Sequence, residues 1–206
     1  MTKTKRAIIA PAEVNRRAQR NRTILYITAG LIVVVLVVVV AFYSRVPKTA
    51  STAPIQSNIK VGDAAPQFNV ATTNGPFDLK QTLAGGKPVF LEVFATWCPH
   101  CQHEVPVIDD LYKKFGAKIA FVGVSGSPYG MDGSSPETQN DVINFQQQLG
   151  VTYPIAYDPN LDVAGKYLEN GFPTIVIIDK TGKVAYLSSG EIAIADLTKQ
   201  ITKATQ

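Results

Sequence analysis

Trp97-Cys98-Pro99-His100-Cys101 contains both cysteines of this 206-residue chain. Ahead of it, Pro88-Val89-Phe90-Leu91-Glu92-Val93-Phe94-Ala95 is an apolar run with the length of a buried strand. Behind it, Val105, Ile108, Leu111 and Tyr112 recur at helical spacing within Glu104 to Phe115. The cysteines therefore sit where a strand feeds a helix. At that junction Cys98 faces the free N–H groups and the positive end of the helix dipole, which favour a thiolate, whereas Cys101 lies one turn further in. The difference separates an attacking sulfur from a resolving one.

Two structural thiols or a metal site are the plain alternatives, and a C-x-x-C alone specifies little. Strand, Trp, C-x-x-C and helix together, with Gly171-Phe172-Pro173-Thr174 opening a later apolar strand, resemble the thioredoxin superfamily. Within it the chain resembles the membrane-anchored, extracytoplasmic thiol-disulfide oxidoreductases of the TlpA/ResA type, from about Ile59 to the C-terminus. That resemblance implies protein substrates with cysteines or disulfides and no cofactor beyond the redox-active Cys98–Cys101 pair itself. It also implies a membrane redox partner and, in the ResA manner, reduction of substrates such as apocytochrome c thiols.

The formal charge of +4 belongs to the N-terminus. Residues 1–22 hold seven Lys/Arg against Glu13 alone, whereas from Ile59 onward 11 Lys/Arg face 15 Asp/Glu. An acidic globular part gives no case for nucleic-acid binding. Ile24 to Tyr43 supplies 20 uncharged residues, including the run from Ile32 to Val40, and as a helix these would span about 30 Å, the hydrocarbon thickness. Valine is a poor helix former in water, but a bilayer forces backbone groups to pair internally. The positive-inside rule then places residues 1–23 as a basic cytoplasmic tail, 24–43 as a single transmembrane helix, 44–58 as an extracytoplasmic linker and 59–206 as a thioredoxin-like domain outside the cell membrane. A cleaved signal peptide, with Ser51-Thr52-Ala53 as its small-residue site, is the rival reading; the apolar run is longer than such peptides use.

The expected domain is α/β: a central mixed β-sheet flanked by helices, with an extra N-terminal β-hairpin from Phe68–Thr72 and Phe77–Asp78 split by Thr73-Asn74-Gly75-Pro76. Val89–Ala95 and Ile119–Ser125 should be parallel neighbours joined by the cysteine-bearing helix. A Gly/Ser/Pro-rich loop, Gly126 to Ser135, should end in N-cap Ser135 with Pro136 opening a helix to about Leu149. Pro154–Tyr157 should be a short strand and Leu161 to Leu168 a short helix. Thr174–Asp179 and Val184–Ser188 should pair around Lys180-Thr181-Gly182-Lys183, before a last helix from Ile192 to Lys203.

The chemistry assigns roles around the cysteines. Cys98 attacks and Cys101 resolves. Pro99 and His100 lie between them, and a protonated His100 would favour negative sulfur, stabilise the reduced form and raise the reduction potential; the same Pro-His dipeptide occurs in DsbA-type oxidases, which introduce disulfides. A solvent-exposed His100 without influence is the bland alternative. Glu92 interrupts an apolar strand six residues before Cys98. A buried carboxylate there could serve as a base for Cys101, as in thioredoxins, unless it lies at a strand edge and reaches water. Glu104 matches the acid of the ResA-like Cys-x-x-Cys-x-x-Glu pattern, where it tunes the dithiol; simple stabilisation by the helix dipole is the alternative. The resemblance makes Trp97, Phe172, Pro173 and Thr174 the substrate-binding set, with Pro173 cis and opposite the cysteines and Phe172 the specificity side chain. A trans proline merely starting a strand is the alternative. A copper or zinc carrier using Cys98, His100, Cys101 and His103 is the different-class rival, disfavoured because neighbouring helical positions diverge; no metal site is expected.

Overall fold

In the computed structural model, residues 26–27, 30–36 and 56–206 are described. Residues 26–27 and 30–36 are helical with exposed apolar side chains. Among the described residues no helix is long and apolar enough to cross a membrane. Most of the expected 24–43 span, and all of the basic tail, lie outside the described residues. The first contacts of the globular unit come earlier than Ile59. Ser57 N–H donates to the Leu168 carbonyl at 2.7 Å and the Gln56 side chain to Asn170 at 3.1 Å, so residues read as linker already bind the domain.

Seven strands form one sheet in the order β2-β1-β5-β4-β3-β6-β7: β1 Asn69–Thr72, β2 Gly75–Asp78, β3 Val89–Phe94, β4 Ala120–Ser125, β5 Ile155–Tyr157, β6 Thr174–Ile178 and β7 Val184–Ser189. β3, β4 and β5 are parallel, while β6 joins β3 antiparallel and the β1–β2 hairpin joins β5 antiparallel. The sheet is therefore mixed, as expected, with the hairpin at one edge and β6–β7 at the other. The hairpin turn is tighter than expected, because β2 begins at Gly75, whose φ of +112° suits glycine.

All six residues of β3 are buried, as a strand between two neighbours with both faces covered must be. Alternation sends Phe90 and Phe94, and with them Glu92, to the face that carries the cysteines, and Val89, Leu91 and Val93 to the other. On the cysteine face, helices α2 (Pro99–Phe115), α3 (Gln139–Leu149) and α5 (Ile194–Ala204) bury Val105, Ile108 and Leu111, then Val142 and Phe145, then Leu197 and Ile201. On the other face, α1 (Leu79–Ala84) and α4 (Ala164–Tyr167) contribute Leu79, Ala164 and Tyr167. The chain has a thioredoxin-like α/β fold.

One helix was not expected from the sequence, and two other helix boundaries differ from expectation. Helix α1 follows directly on β2, capped by Asp78, whose carboxylate accepts the Gln81 N–H at 2.8 Å. Helix α3 is capped at Thr138 rather than Ser135, because Thr138 and Asp141 cap one another reciprocally whereas the Ser135 hydroxyl is held by Asp132 at 2.6 Å. Pro136 instead pairs in an isolated bridge with Tyr129. Helix α4 shrinks to one turn.

Candidate active site

Cys98 is the N-cap of α2 and Pro99 its first residue. Proline suits that position because its missing N–H would have no helical partner. The Cys98 sulfur accepts the Cys101 N–H at 3.5 Å and lies 3.7 Å from the Phe172 carbonyl. Both cysteines are free and buried. The Cys98 thiol is lowered to about 6, first by the hydrogen bond from the Cys101 side chain, then by the N–H groups of Cys101 and His100; burial opposes, and the His100 charge adds the least. Burial pushes the Cys101 thiol far above its ordinary range, reinforced by Cys98 and Glu92. The two sulfurs are thereby driven in opposite directions.

Glu92 is 1 % exposed. Its strand is central, so a strand-edge carboxylate reaching water is not what the fold provides. Burial raises Glu92 to about 8, with Glu104 and Cys98 adding repulsion, while the Tyr153 hydroxyl, donating to Oε2 at 2.8 Å, pulls the other way. Glu104 is also buried; Oε1 accepts the Ile192 N–H at 3.1 Å and Oε2 has no partner among the described residues. Burial lifts it to about 7. At the sixth position of α2 it is beyond the first turn, where the dipole acts on carboxylates most strongly.

The His100 side chain is exposed and its Nδ1 lies 2.5 Å from Glu191 Oε1. That contact raises the imidazole's pKa and lowers Glu191's. His103 Nδ1 sits 3.7 Å from the same oxygen. Among the described residues no three of His, Cys, Asp and Glu form a group able to hold a metal ion.

Trp97 is 37 % exposed, crosses Phe172 edge-on at 6.1 Å between ring centroids and donates to Ser127 at 2.7 Å. The Phe172–Pro173 peptide is cis, beside Cys98. Thr174 departs from the expected substrate contact. It is 0 % exposed, and its hydroxyl donates to the Gly171 carbonyl at 2.7 Å and accepts the Glu169 N–H at 3.3 Å, so it shapes the loop from within.

Four partners were not singled out from sequence: Tyr153 on Glu92, Glu191 on His100, Ser127 on Trp97, and Glu137. The Glu137 carboxylate accepts from Thr96 at 2.9 Å and Ser125 at 2.7 Å. Each stands far along the chain from what it holds, with no local spacing to announce it. Glu137 was read as part of the helix expected to open at Pro136.

Residues 60–201 match the Redoxin family. The thiol-disulfide oxidoreductase ResA of Bacillus anthracis is 34 % identical over 151 residues, 73 % of this chain and 82 % of that protein. ResA of Geobacillus thermodenitrificans is 31 % identical over 146 residues, 69 % and 77 % respectively. A thiol:disulfide interchange protein of the thioredoxin family from Chlorobium tepidum superposes with a TM-score of 0.54 at 26 % identity, covering 72 % of this chain and 99 % of that one. A strand-to-helix dithiol on this fold, shared with such relatives, makes the chain a member of the Redoxin family and an oxidoreductase of the TlpA/ResA type in the thioredoxin superfamily.

Proposed function

We propose that this chain is a membrane-anchored, extracytoplasmic enzyme that exchanges disulfides with protein cysteines through Cys98 and Cys101, running as a reductant in the ResA manner. The observation that carries the reading is the split of the two thiols. Cys98, ionised near neutrality, attacks a substrate disulfide; a Cys98–substrate S–S bond forms and one substrate sulfur leaves as thiolate. Cys101 then loses its proton to the Glu92 carboxylate and attacks Cys98 Sγ, forming the Cys98–Cys101 disulfide and releasing the second substrate sulfur. The substrate disulfide gains two electrons and the enzyme dithiol loses two. Trp97 and Phe172 flank Cys98 as the apolar contacts for the incoming chain, Pro173 shapes the rim between them, and Glu104 tunes the pair from the buried side.

The lowered Cys98 thiol favours a second reading. Stabilising the thiolate stabilises the reduced enzyme, which raises the potential towards that of an oxidase. Equilibrating the purified full-length chain with glutathione separates the two: a potential near that of thioredoxin, about −270 mV, supports the reductant, and one near DsbA, about −120 mV, the oxidant. Loss of exchange in Cys98→Ala is required by both. Topology rests on the charge asymmetry around residues 24–43, and protease added to intact spheroplasts should remove the domain. A domain that stays protected until lysis refutes the orientation, and one free in the medium refutes the anchor.

A further inference from the structure

Glu92 is the most deeply buried carboxyl beside the cysteines. Facing it are Cys98 at the cap of α2, Cys101 and Glu104 from α2, and Tyr153 from the segment entering β5; Asp109 of α2 acts on Tyr153. Cys98, when ionised, and Glu104 oppose a charge on Glu92. Among the described residues Tyr153 alone donates to it, and the tyrosine is itself 1 % exposed, held among the buried side chains of the cysteine face. Burial first, and then the neighbouring acids, keep the proton on the Tyr153 hydroxyl, so towards Glu92 it acts as a donor. Asp109 is engaged elsewhere, accepting the N–H and hydroxyl of Thr152 at 2.9 and 2.8 Å. These two bonds fix the residue before Tyr153 to α2 and so aim the ring.

We propose that Tyr153 is a positioning residue for the resolving step: its hydroxyl, donating to Glu92 Oε2, orients the carboxylate and favours its ionised form, the form that takes the Cys101 proton. This rests on Glu92 being that proton acceptor. The proton moves from Cys101 Sγ to Glu92 as Cys101 attacks Cys98 Sγ in the mixed disulfide, and the substrate sulfur leaves with the bonding electrons. Tyr153 exchanges no proton in the step. Its contribution is to offset part of the burial that otherwise keeps Glu92 neutral.

The test is rapid-mixing kinetics of the full-length protein with a disulfide-bonded protein substrate, reading mixed-disulfide formation and its resolution separately across pH. Tyr153→Phe keeps the ring and removes the donor. The midpoint of the resolution limb should move up by about one pH unit, so that resolution slows about tenfold below that midpoint, while formation of the mixed disulfide is little changed. Glu92→Gln should flatten the limb, and adding Tyr153→Phe to it should bring no further change. Loss of the limb in Glu92→Gln with no movement in Tyr153→Phe overturns the Tyr153 inference alone. An unchanged limb in Glu92→Gln overturns the Glu92 reading and this inference with it. Equal slowing of both steps in Tyr153→Phe, with a fall in melting temperature and a limb that stays in place, assigns Tyr153 to packing and also overturns the inference.

Discussion

Cys98 owes its acidity mainly to its partner thiol. The Cys101 side chain is the strongest influence holding Cys98 at about 6, followed among the favourable ones by two backbone N–H groups at the start of α2; the imidazole of His100 comes last. This order has a geometric basis. His100 is exposed and spends its Nδ1 on Glu191, so water and a counter-charge both screen it from the sulfur. Cys101→Ala, which deletes the donor, should therefore raise the Cys98 pKa by about one unit or more, since a hydrogen bond to a charged group contributes about 1.5–3 kcal/mol and one unit is about 1.4 kcal/mol. His100→Leu should raise it by less. Thiolate ultraviolet absorbance followed against pH compares the two, and a larger shift in His100→Leu would return control of the poise to the imidazole. Of this site, Cys98, Cys101 and the buried Glu92 were legible in the sequence, because each follows from a strand running into a helix. Tyr153 and Glu191 were not, because they arrive 61 and 91 positions downstream through the tertiary fold.

Elements whose signal is local were read correctly, and those in which two signals compete were not. The apolar run of β3 and the spacing of Val105, Ile108 and Leu111 in α2 each had one interpretation. Ahead of α3, Ser135-Pro136 offered a cap and a first-turn proline, while Thr138 with Asp141 offered a reciprocal cap three residues later. The second wins because Asp141 Oδ2 accepts both the N–H and the hydroxyl of Thr138, at 2.8 and 2.6 Å, satisfying the groups at the helix start together. At the other end Gly150, with φ of +66°, closes α3 in the left-handed conformation. Thr138→Ala should therefore cost about 1 kcal/mol in urea unfolding. Ser135→Ala should cost much less, since its hydroxyl bond to Asp132 closes an exposed turn. Equal losses from the two variants would mean that the loop, rather than the cap, is what the domain loses.

On the scale of the whole domain, three buried carboxyls of the cysteine-face region set how stability changes with pH. Burial raises Glu92 to about 8 and Glu104 and Glu137 to about 7, and all three are almost inaccessible to water. In the unfolded chain they ionise near the ordinary glutamate value, about 4.3. Between that value and 7 to 8 the native state binds protons that the unfolded state has released, so stability falls as pH rises, by up to roughly 1.4 kcal/mol per unit for each carboxyl still protonated. Glu92 and Glu104 repel one another and do not titrate independently, which broadens the fall. Cys98 has the opposite sign. Its native value, about 6, is below the unfolded thiol's, about 8.5, so it adds stability as pH rises through that interval. From about pH 5 to 6 the carboxyls act without that thiol, and above 6 it offsets part of them; the raised Asp158 and His100 act in the same sense as the three carboxyls. The reduced protein should therefore melt highest near pH 5 and lower near pH 7, with Glu92→Gln and Glu104→Gln each flattening the slope. Forming the Cys98–Cys101 disulfide removes the thiol that ionises, so the oxidised protein should lose stability more steeply between about pH 6 and 8 than the reduced one. Melting curves of both redox forms across that range decide the matter: a reduced form whose stability climbs steadily from pH 5 to 7 would show that these carboxyls ionise without penalty in the native fold.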